Sequence, residues 1–591
     1  MTYLVFAGVV NNDFINYQDN SYILENDLVQ DISSNVFAEP VENKYQPISI
    51  LSLAFNYQSA KLDAETYHWT NLILHLVNIV LVFYFLYLLS QRKLLVGFIG
   101  ALIFAVHPMN SEAVAWLSAR SVLVYGLFIL LSLICYLKQE ESKKPWWQVA
   151  AILTYLLALL SNPAAIAFPF VLLAIHYWKG GKIDKAFGLK WVQFWAISLG
   201  FLAMAFYFQQ VGNMEAGLVN TLMNSTYAFG LYLLKFFVPF QLSIIHPSPL
   251  IGATPTLYSV SPVIFLAFIG LTFWAMRTAR VWAFALFFFA ANIFWFMPFL
   301  QNSESIISES NAYIAYLGFA FAVAHTIHHF LQSKEDKQKL IGKSLAGIGI
   351  LAILGFAYLS HERVTVWKDN FNVWEDAIQK YPNAAYVAYA YKGDYYRYQK
   401  NYSEALNQYN QSVAINPNYG AVYHRRALVH HELEDLKAAE SDYLRAVEFG
   451  EGRYMSYANL CKLHRMEGDY EQAMKECNAA IQGDDFEQKH NVYLQRGTML
   501  ALAKNYKGAL ADYNEYIKHD TEEVKAYRWR AIAHFELEDY KAAMKDIEFA
   551  LNLNGSDAIS YMYRYKIHKL RGNKKEANLD SIRAKTLGAP M

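Results

Sequence analysis

The sequence predicts an all-α protein in two parts: a polytopic membrane domain, then a helical solenoid. Three observations carry this. Residues 67–360 hold a succession of apolar runs of about 15–25 residues, the length that crosses a bilayer. From residue 361 the composition turns polar and rich in Tyr, Ala, Lys and Glu. In that second part Ala405, Ala439, Ala473, Ala509, Ala543 and Ala577 recur at intervals of 34, 34, 36, 34 and 34 residues, the tetratricopeptide period.

The totals agree. The 591-residue chain is 55% hydrophobic and only 17% charged, and its formal net charge of zero, with no Lys/Arg cluster in the polar half, argues against nucleic acid binding. Three cysteines make neither a disulfide framework nor a zinc site.

The N-terminus lacks a basic leader and a small-residue cleavage site, so no signal peptide is expected. Its apolar run, Tyr3 to Val10, is too short to span and reads as the end of a first, truncated helix. Further helices are expected at 67–90, 95–106, 121–137, 146–160, 164–178, 191–210, 258–276, 281–300, 311–332 and 341–360. The loops between them separate by charge. One set holds Arg92 and Lys93; Lys138, Lys143 and Lys144; Lys179, Lys182, Lys185 and Lys190; Arg277 and Arg280; Lys334, Lys337, Lys339 and Lys343. The other holds little more than Lys44, Lys61, Arg120 and Lys235. The positive-inside rule makes the first set cytoplasmic. Residues 11–66, 107–120, 161–163, 301–310 and everything after 361 then face outward, with eleven crossings in all. In a bacterium this is the inner (cytoplasmic) membrane, with the C-terminal repeats in the periplasm; in a eukaryote the outer face is the ER lumen. Residues 222–240 begin and end on the outer side, and are expected to be re-entrant, interfacial or a pair of half-crossings. The middle of the 11–66 linker, "YILENDLVQDISSNVF", reads either as an amphipathic helix on the membrane surface or as an ordinary surface helix.

The domains are therefore 1–364 and 365–591, the second with six repeats and a preceding half-unit at Trp367–Pro382. Small residues recur twelve before the first five repeat alanines (Gly393, Ala427, Cys461, Gly497, Ala531), and large ones often four after them (Tyr409, Tyr443, Tyr513, Ile547). Small residues let paired helices approach, and stacked pairs make a solenoid that presents a surface to a protein or peptide. Tyr389, Tyr396, Arg425, His431, Tyr457, Arg496, Tyr527, Arg528 and Arg530 are the groove candidates, with packing inside the repeat as the alternative for most. His430 and His431 point to different helix faces and make a poor metal pair. Cys461 and Cys477 fall on facing helices of the third repeat; they either bridge in an oxidising compartment or stay as small buried thiols.

Chemistry, if present, belongs to four outward loops: "FINYQDNSY" (14–22) with "YQPISILSLAF" (45–55), "HPMNSEAVAWLSAR" (107–120), "LLSNP" (159–163) and "SESNAYIAYLG" (308–318). Asp19, Glu112 and Glu309 are acids suited to proton abstraction or metal binding, and Arg120 and Lys235 to phosphate charge. Asp19 equally suits a helix cap.

These loops, with "YHWTNLILHLVN" (67–78), "YLLKFFVPFQLSIIHP" (232–247) and the repeat tail, resemble the TMTC-type membrane O-mannosyltransferases of the GT-C glycosyltransferase superfamily. The resemblance implies a GT-C-like membrane domain. It also implies transfer of a sugar, typically mannose, from a polyprenyl-phosphate donor to Ser or Thr of a protein on the outer face, with a divalent metal in attendance if the site is active and no cofactor if it is not. It implies that the first loop supplies the catalytic acid and the repeats engage the acceptor. His107, Pro108, Glu112, Trp116, Arg120, Lys235 and Glu309 are retained: Asp19 and Glu112 as catalytic candidates, Arg120, Lys235 and His107 toward the donor phosphate, Glu309 and Tyr22 at the site rim, and no metal set defined. The departures are Gln18 for an acid, Ser121 and Val122 where a polar or basic residue and an acid are usual, Asn162 for a lysine, and Ser310 with Asn311 for Arg-Tyr. Four formal charges are thus absent from one surface. Asp13 and Glu25 are the neighbours placed to substitute. Two readings follow: a degenerate relative acting as a protein-binding scaffold, and an active O-glycosyltransferase.

Overall fold

The computed structural model describes residues 1–181, 185–208, 217–249, 255–300, 304–450, 452–483 and 489–590. They form two compact units, Met1–Lys400 and Asn401–Met591, described separately below.

The first unit is helical. Five of its helices (Ala64–Leu89, Leu117–Ser142, Trp191–Phe208, Thr256–Thr278 and Asp336–Val366) are long and apolar enough to cross a membrane. Six shorter apolar helices (Thr2–Asn11, Leu94–Val106, Pro145–Ser161, Pro163–Trp178, Arg280–Phe296 and Leu317–Leu331) occupy the remaining expected positions. The helix expected at 191–210 is described to Phe208; residues 209–216, and Lys182 of the basic loops, lie outside the described residues. Leucine, valine and phenylalanine packed between these helices make the core, which runs from Val82 and Phe85 through Leu123, Leu130 and Leu133 to Phe288 and Phe321.

Three local expectations change. Residues 222–240 contain no pair of half-crossings: a continuous helix runs from Gly217 to Phe237, because no proline or capping residue interrupts "LMNSTYAFGLYLLKFF" before Val238 and Pro239. The stretch 22–37 is not one helix but three short turns, Asn20–Leu24, Asp27–Gln30 and Ser34–Phe37, with Asn26 and Ser33 capping the second and third by their side chains. Residues 47–60, read as a loop motif, form a helix whose first position is Pro47, where the missing N–H costs nothing.

The unit extends past residue 364. The helices Asn370–Lys380 and Tyr386–Tyr398 are held to the first loop by side chains. Trp374 Nε1 donates to Asn16 Oδ1 at 2.7 Å, Asn16 Nδ2 to the Tyr391 carbonyl at 3.1 Å, and Trp374 stacks on Tyr391 at 4.9 Å.

In the second unit the repeat alanines Ala405, Ala439, Ala473, Ala509 and Ala543 are fully buried, beside buried Tyr409, Tyr443 and Tyr513. The second helices of these repeats start after Asn401, Asp435, Asp469, Asn505 and Asp539, each accepting a backbone N–H on its side-chain oxygen. A second ladder is superposed. Arg426, Arg496, Arg530 and Arg564 each bind both carboxylate oxygens of the aspartate sixteen residues on, at 2.6–2.8 Å. Each also lies over the ring of the tyrosine three residues before it. Arg426, Arg496 and Arg530 reach back to Asn410, Asn478 and Asn514 on the preceding helix. One guanidinium thus fastens three helices. Arg530→Ala leaves a buried Asp546 without its partner; we expect a loss of about 1.5–3 kcal/mol, measured as a lowered unfolding midpoint of the repeat array.

The third repeat departs from the ladder. Leu460 stands where the second, fourth, fifth and sixth repeats have Arg, and Glu476 where they have Asp. Cys461 and Cys477 replace the small and the large packing residue, and form a disulfide with Cα atoms 5.3 Å apart. Of the two states open to these cysteines, the structure shows the bridge.

Candidate functional site

Loops of the first unit enclose a cavity of about 680 Å³. Its walls come from the first loop (Tyr17, Gln18, Tyr22), the turn with Glu42, Asn43, Lys44 and Gln46, the stretch with Trp116, Ser118, Ala119, Ser121 and Val122, Asn162 with Pro163, Thr221 and Asn224, Ile244 and Ser248, Trp295, Phe296, Pro298, Phe299 and Leu300, Glu304 to Ser308, Ser310 with Asn311, and Tyr391.

The residues divide sharply. All four positions where a charge was found missing, Gln18, Val122, Asn162 and Ser310, line the cavity. Of the residues kept, Tyr22 and Trp116 line it, and both are buried. Asp19, Glu112, Arg120, Lys235, His107 and Glu309 are buried behind the lining, each bonded to the protein itself.

Asp19 ties the first loop to the turn after Trp116. Its Oδ2 accepts from the Ile15 amide at 2.9 Å, and its Oδ1 from the Ser118 amide at 2.9 Å and the Ser118 hydroxyl. Burial raises its carboxyl to about 6 against these hydrogen bonds. Glu112 does the same for the fourth loop. It accepts from the amides of Glu309 and Ser310, both at 3.1 Å, from the Ser310 hydroxyl at 2.8 Å, and from the Ser308 hydroxyl. Burial, then the charge of Glu309, pushes it up to about 7. Arg120 spends its N–H groups on Asn71 Oδ1, the Ser52 hydroxyl (3.0 Å), Asn56 Oδ1 (2.9 Å) and the Tyr67 carbonyl (2.9 Å). Lys235 Nζ donates to the carbonyls of Phe240 and Gln241 at 2.9 and 3.1 Å. His107 accepts the Met109 amide on Nδ1 at 3.3 Å, so its Nε2 carries the proton donated to the Phe236 carbonyl at 3.1 Å. Glu309 Oε1 accepts from the Ser243 amide at 2.6 Å and lies 3.2 Å from His246 Nε2.

Asp13 and Glu25 are exposed and do not line the cavity. The charges that do are Lys44, Glu42 and Glu304, none of them among the sequence candidates. Glu304 accepts from the Tyr17 hydroxyl at 3.2 Å, and Tyr17 stacks on Trp116 at 5.8 Å. Among the described residues no three His, Cys, Asp or Glu side chains converge as a metal would need.

The groove candidates Tyr389, Tyr396, Arg425, Tyr457, Arg496 and Arg528 are all half-buried on the first helices of their repeats. Arg496 belongs to the arginine–aspartate ladder through Asp512, and Arg528 Nη1 donates to Asp557 at 2.6 Å. Tyr457 packs against the Cys461–Cys477 cluster.

Known proteins share these features. The TPR repeat family matches residues 393–434 and the tetratricopeptide repeat family residues 420–449. The human protein O-mannosyl-transferase TMTC3 is 22% identical over 93% of this chain and 66% of its own length. A *Caenorhabditis elegans* protein O-mannosyl-transferase, F38B6.6, is 24% identical over 65% of this chain and 55% of its own. Human TMTC2 is 36% identical over a shorter stretch, 17% of this chain and 12% of the relative. The chain spans between about half and two-thirds of the length of the first two. It is a TMTC-like helical protein with membrane-spanning-length helices, followed by tetratricopeptide repeats.

Proposed function

We propose that this protein keeps the glycosyltransferase-like membrane domain without its sugar transfer, and acts through its repeats as a membrane-anchored, protein-binding scaffold. One observation carries the reading. The four positions that lack the family's charge face the cavity, and the charged candidates that are kept, Asp19, Glu112, Arg120, Lys235 and Glu309, are buried behind it and hold the loops together. A phosphate-bearing donor and a divalent metal call for cations and carboxylates at the lining. Gln18, Val122, Asn162 and Ser310 supply neither; among the described residues Lys44 is the single lining cation, and Glu42 and Glu304 are the lining carboxylates. No third His, Cys, Asp or Glu joins them among the described residues, so the lining does not fit a divalent metal. Asp19 and Glu112 have the character of fasteners, not of a base. Selection for a stable shell accounts for their presence without catalysis.

The Cys461–Cys477 bridge supports an oxidising surrounding for the repeats, which accords with an inner-membrane protein whose C-terminal part lies in the periplasm. The half-buried tyrosines and arginines of the first helices are then the surface offered to a protein or peptide.

The test is transfer itself. Full-length protein in membranes is incubated with a radiolabelled polyprenyl-phosphate sugar and Ser/Thr-containing acceptor peptides. We expect no labelled peptide above a protein-free control. Labelled product, lost on Glu304→Gln or Lys44→Ala, overturns the scaffold reading in favour of active O-glycosyl transfer by substitute residues of the cavity. In parallel, affinity capture with the full-length protein is expected to return the same bound protein from independent preparations, and to lose it on Arg425→Glu.

A further inference from the structure

The helices of the repeat unit divide by charge. The first helices of repeats two to six, Gly420–Glu432, Arg453–Glu467, Lys489–Leu502, Val524–Glu536 and Ala558–Leu570, carry thirteen Lys or Arg against three Glu. Each of those glutamates, Glu432, Glu467 and Glu536, is the last residue of its helix. The second helices of the same repeats carry eleven charges of each sign. The ladder arginines Arg426, Arg496, Arg530 and Arg564 are already spent on aspartates of their own repeats.

Much of the remaining charge gathers on one side. The residues one before, two after and five after the ladder position share a helix face, within an arc of about 120° at ~100° per residue. In these five helices the three positions hold no acid and five Lys or Arg: Arg425, Lys462, Arg465, Lys566 and Lys569. Lys462 and Lys569 are exposed and the other three half-buried. Among the described residues Lys462, Arg465, Lys566 and Lys569 pair with no carboxylate, and Arg465 Nε is buried without a hydrogen-bond partner. The first helices stand side by side. His424 Nδ1 lies 2.8 Å from Ser456 Oγ, Arg528 holds Asp557 at the head of the next first helix, and the Phe535 and Tyr563 rings are 5.2 Å apart. The helices Arg453–Glu467, Lys489–Leu502 and Val524–Glu536 touch in series as well. Their common face is therefore one basic surface, which attracts the opposite sign.

The order along the array decides which anion fits. Repeats two and three supply Arg425, Lys462 and Arg465, and repeat four is neutral at the same positions, with Gln495, Thr498 and Ala501. Repeat five presents half-buried Trp529 and Phe535. Repeat six adds Lys569 and Lys566, whose ammonium lies 4.3 Å from the Tyr563 ring and 5.9 Å from the Phe535 ring. A nucleic acid backbone calls for a continuous track of cations. Two basic ends around a neutral, partly aromatic middle match a polypeptide instead. We propose that the first helices of repeats two to six bind an extended segment of a partner protein that carries an acidic cluster at each end and apolar side chains between. One cluster meets Arg425, Lys462 and Arg465, the other meets Lys566 and Lys569, and the apolar side chains pack on Trp529 and Phe535. This rests on the protein-binding reading of the repeats given above and adds the chemical class of the partner.

The test titrates the full-length protein in detergent against a fluorescent peptide with a glutamate cluster at each end and a leucine–phenylalanine centre, followed by anisotropy. We expect saturable binding that weakens with added salt. Affinity should fall about tenfold or more in each of two paired reversals, Lys462→Glu with Arg465→Glu and Lys566→Glu with Lys569→Glu. An unchanged unfolding midpoint shows that a variant is folded, and the second pair stands if the first is not. The same peptide with lysine for glutamate is expected not to bind. Absence of binding, binding that both reversals leave unchanged, or displacement of the peptide by an equal concentration of oligothymidylate overturns the proposal. If affinity capture still returns a bound protein while the peptide does not bind, the acidic class of partner falls and the protein-binding reading stands; if capture fails too, both fall.

Discussion

Arg120→Met is expected to cost about 3–5 kcal/mol and to abolish most folded protein, whatever the membrane domain does in the cell. The guanidinium is fully buried at the start of the Arg120–Ser142 helix, and its N–H groups serve acceptors on two others: Asn71 and Tyr67 on the Ala64–Leu89 helix, and Ser52 and Asn56 on the Pro47–Ala60 helix. Removing it strands Asn71 Oδ1, Asn56 Oδ1 and the Tyr67 carbonyl in a buried place. Arg120→Lys should recover little, since one ammonium cannot reproduce the planar fork. The measurement is the yield of monodisperse protein from detergent extracts, with its unfolding midpoint. An arginine kept for a donor phosphate behaves differently: its loss spares the fold and removes binding. A stable, monodisperse Arg120→Met protein would therefore contradict the structural role assigned here.

Arg120 also shows where sequence reasoning reaches its limit. Its identity, its place on the outer side and its charge all pointed to a phosphate. What decides its role is the arrival of Ser52 and Asn56 from a helix that the sequence disguised as a loop motif, because Pro47 marks its first turn and the apolar face is weakly patterned. Glu112 is similar: the amides and hydroxyls it binds lie 196 to 198 residues away in the chain, and no local pattern announces them. The membrane helices and the repeats were legible because length, hydropathy and period are local properties. The arginine–aspartate ladder was legible too, as Tyr-x-x-Arg followed sixteen residues later by Asp at 442, 512, 546 and 580, yet the same arginines also suit a binding groove, and only the bidentate geometry separates the two. The cavity is the reverse case. The family resemblance picks out the four neutral positions as a set, and the fold adds what no local pattern shows, that all four line one cavity while the retained charges lie behind it.

Reduction of Cys461–Cys477 is the second large effect expected, and it falls on one repeat. A crosslink over sixteen residues is worth about 3 kcal/mol by the chain-entropy argument. In a solenoid, where each repeat is held by its neighbours alone, such a loss is felt locally before it is felt globally. The third repeat has little to replace it. Leu460 and Glu476 cannot form the arginine–aspartate staple of the flanking repeats; the polar links are His464, 2.7 Å from Glu476 and 3.2 Å from Glu440, and Ser456, 2.8 Å from His424. Burial disfavours the charged ring of His464, and the hydrogen bonds to the two glutamates outweigh that and raise its pKa. With reductant, hydrogen exchange should therefore quicken first in the helices Arg453–Glu467 and Tyr470–Ile481, while the repeats on either side keep their protection. The packing argument supplies its own control. In the neighbouring repeats the two cysteine positions hold Ala427 with Tyr443 and Gly497 with Tyr513, buried and needing no covalent bond. Cys461→Ala combined with Cys477→Tyr should restore that pairing, and in reductant should unfold at a higher temperature than the reduced wild-type chain. If the reduced wild type and the double variant unfold together, and no faster exchange appears between residues 453 and 481, the bridge is not what holds the third repeat.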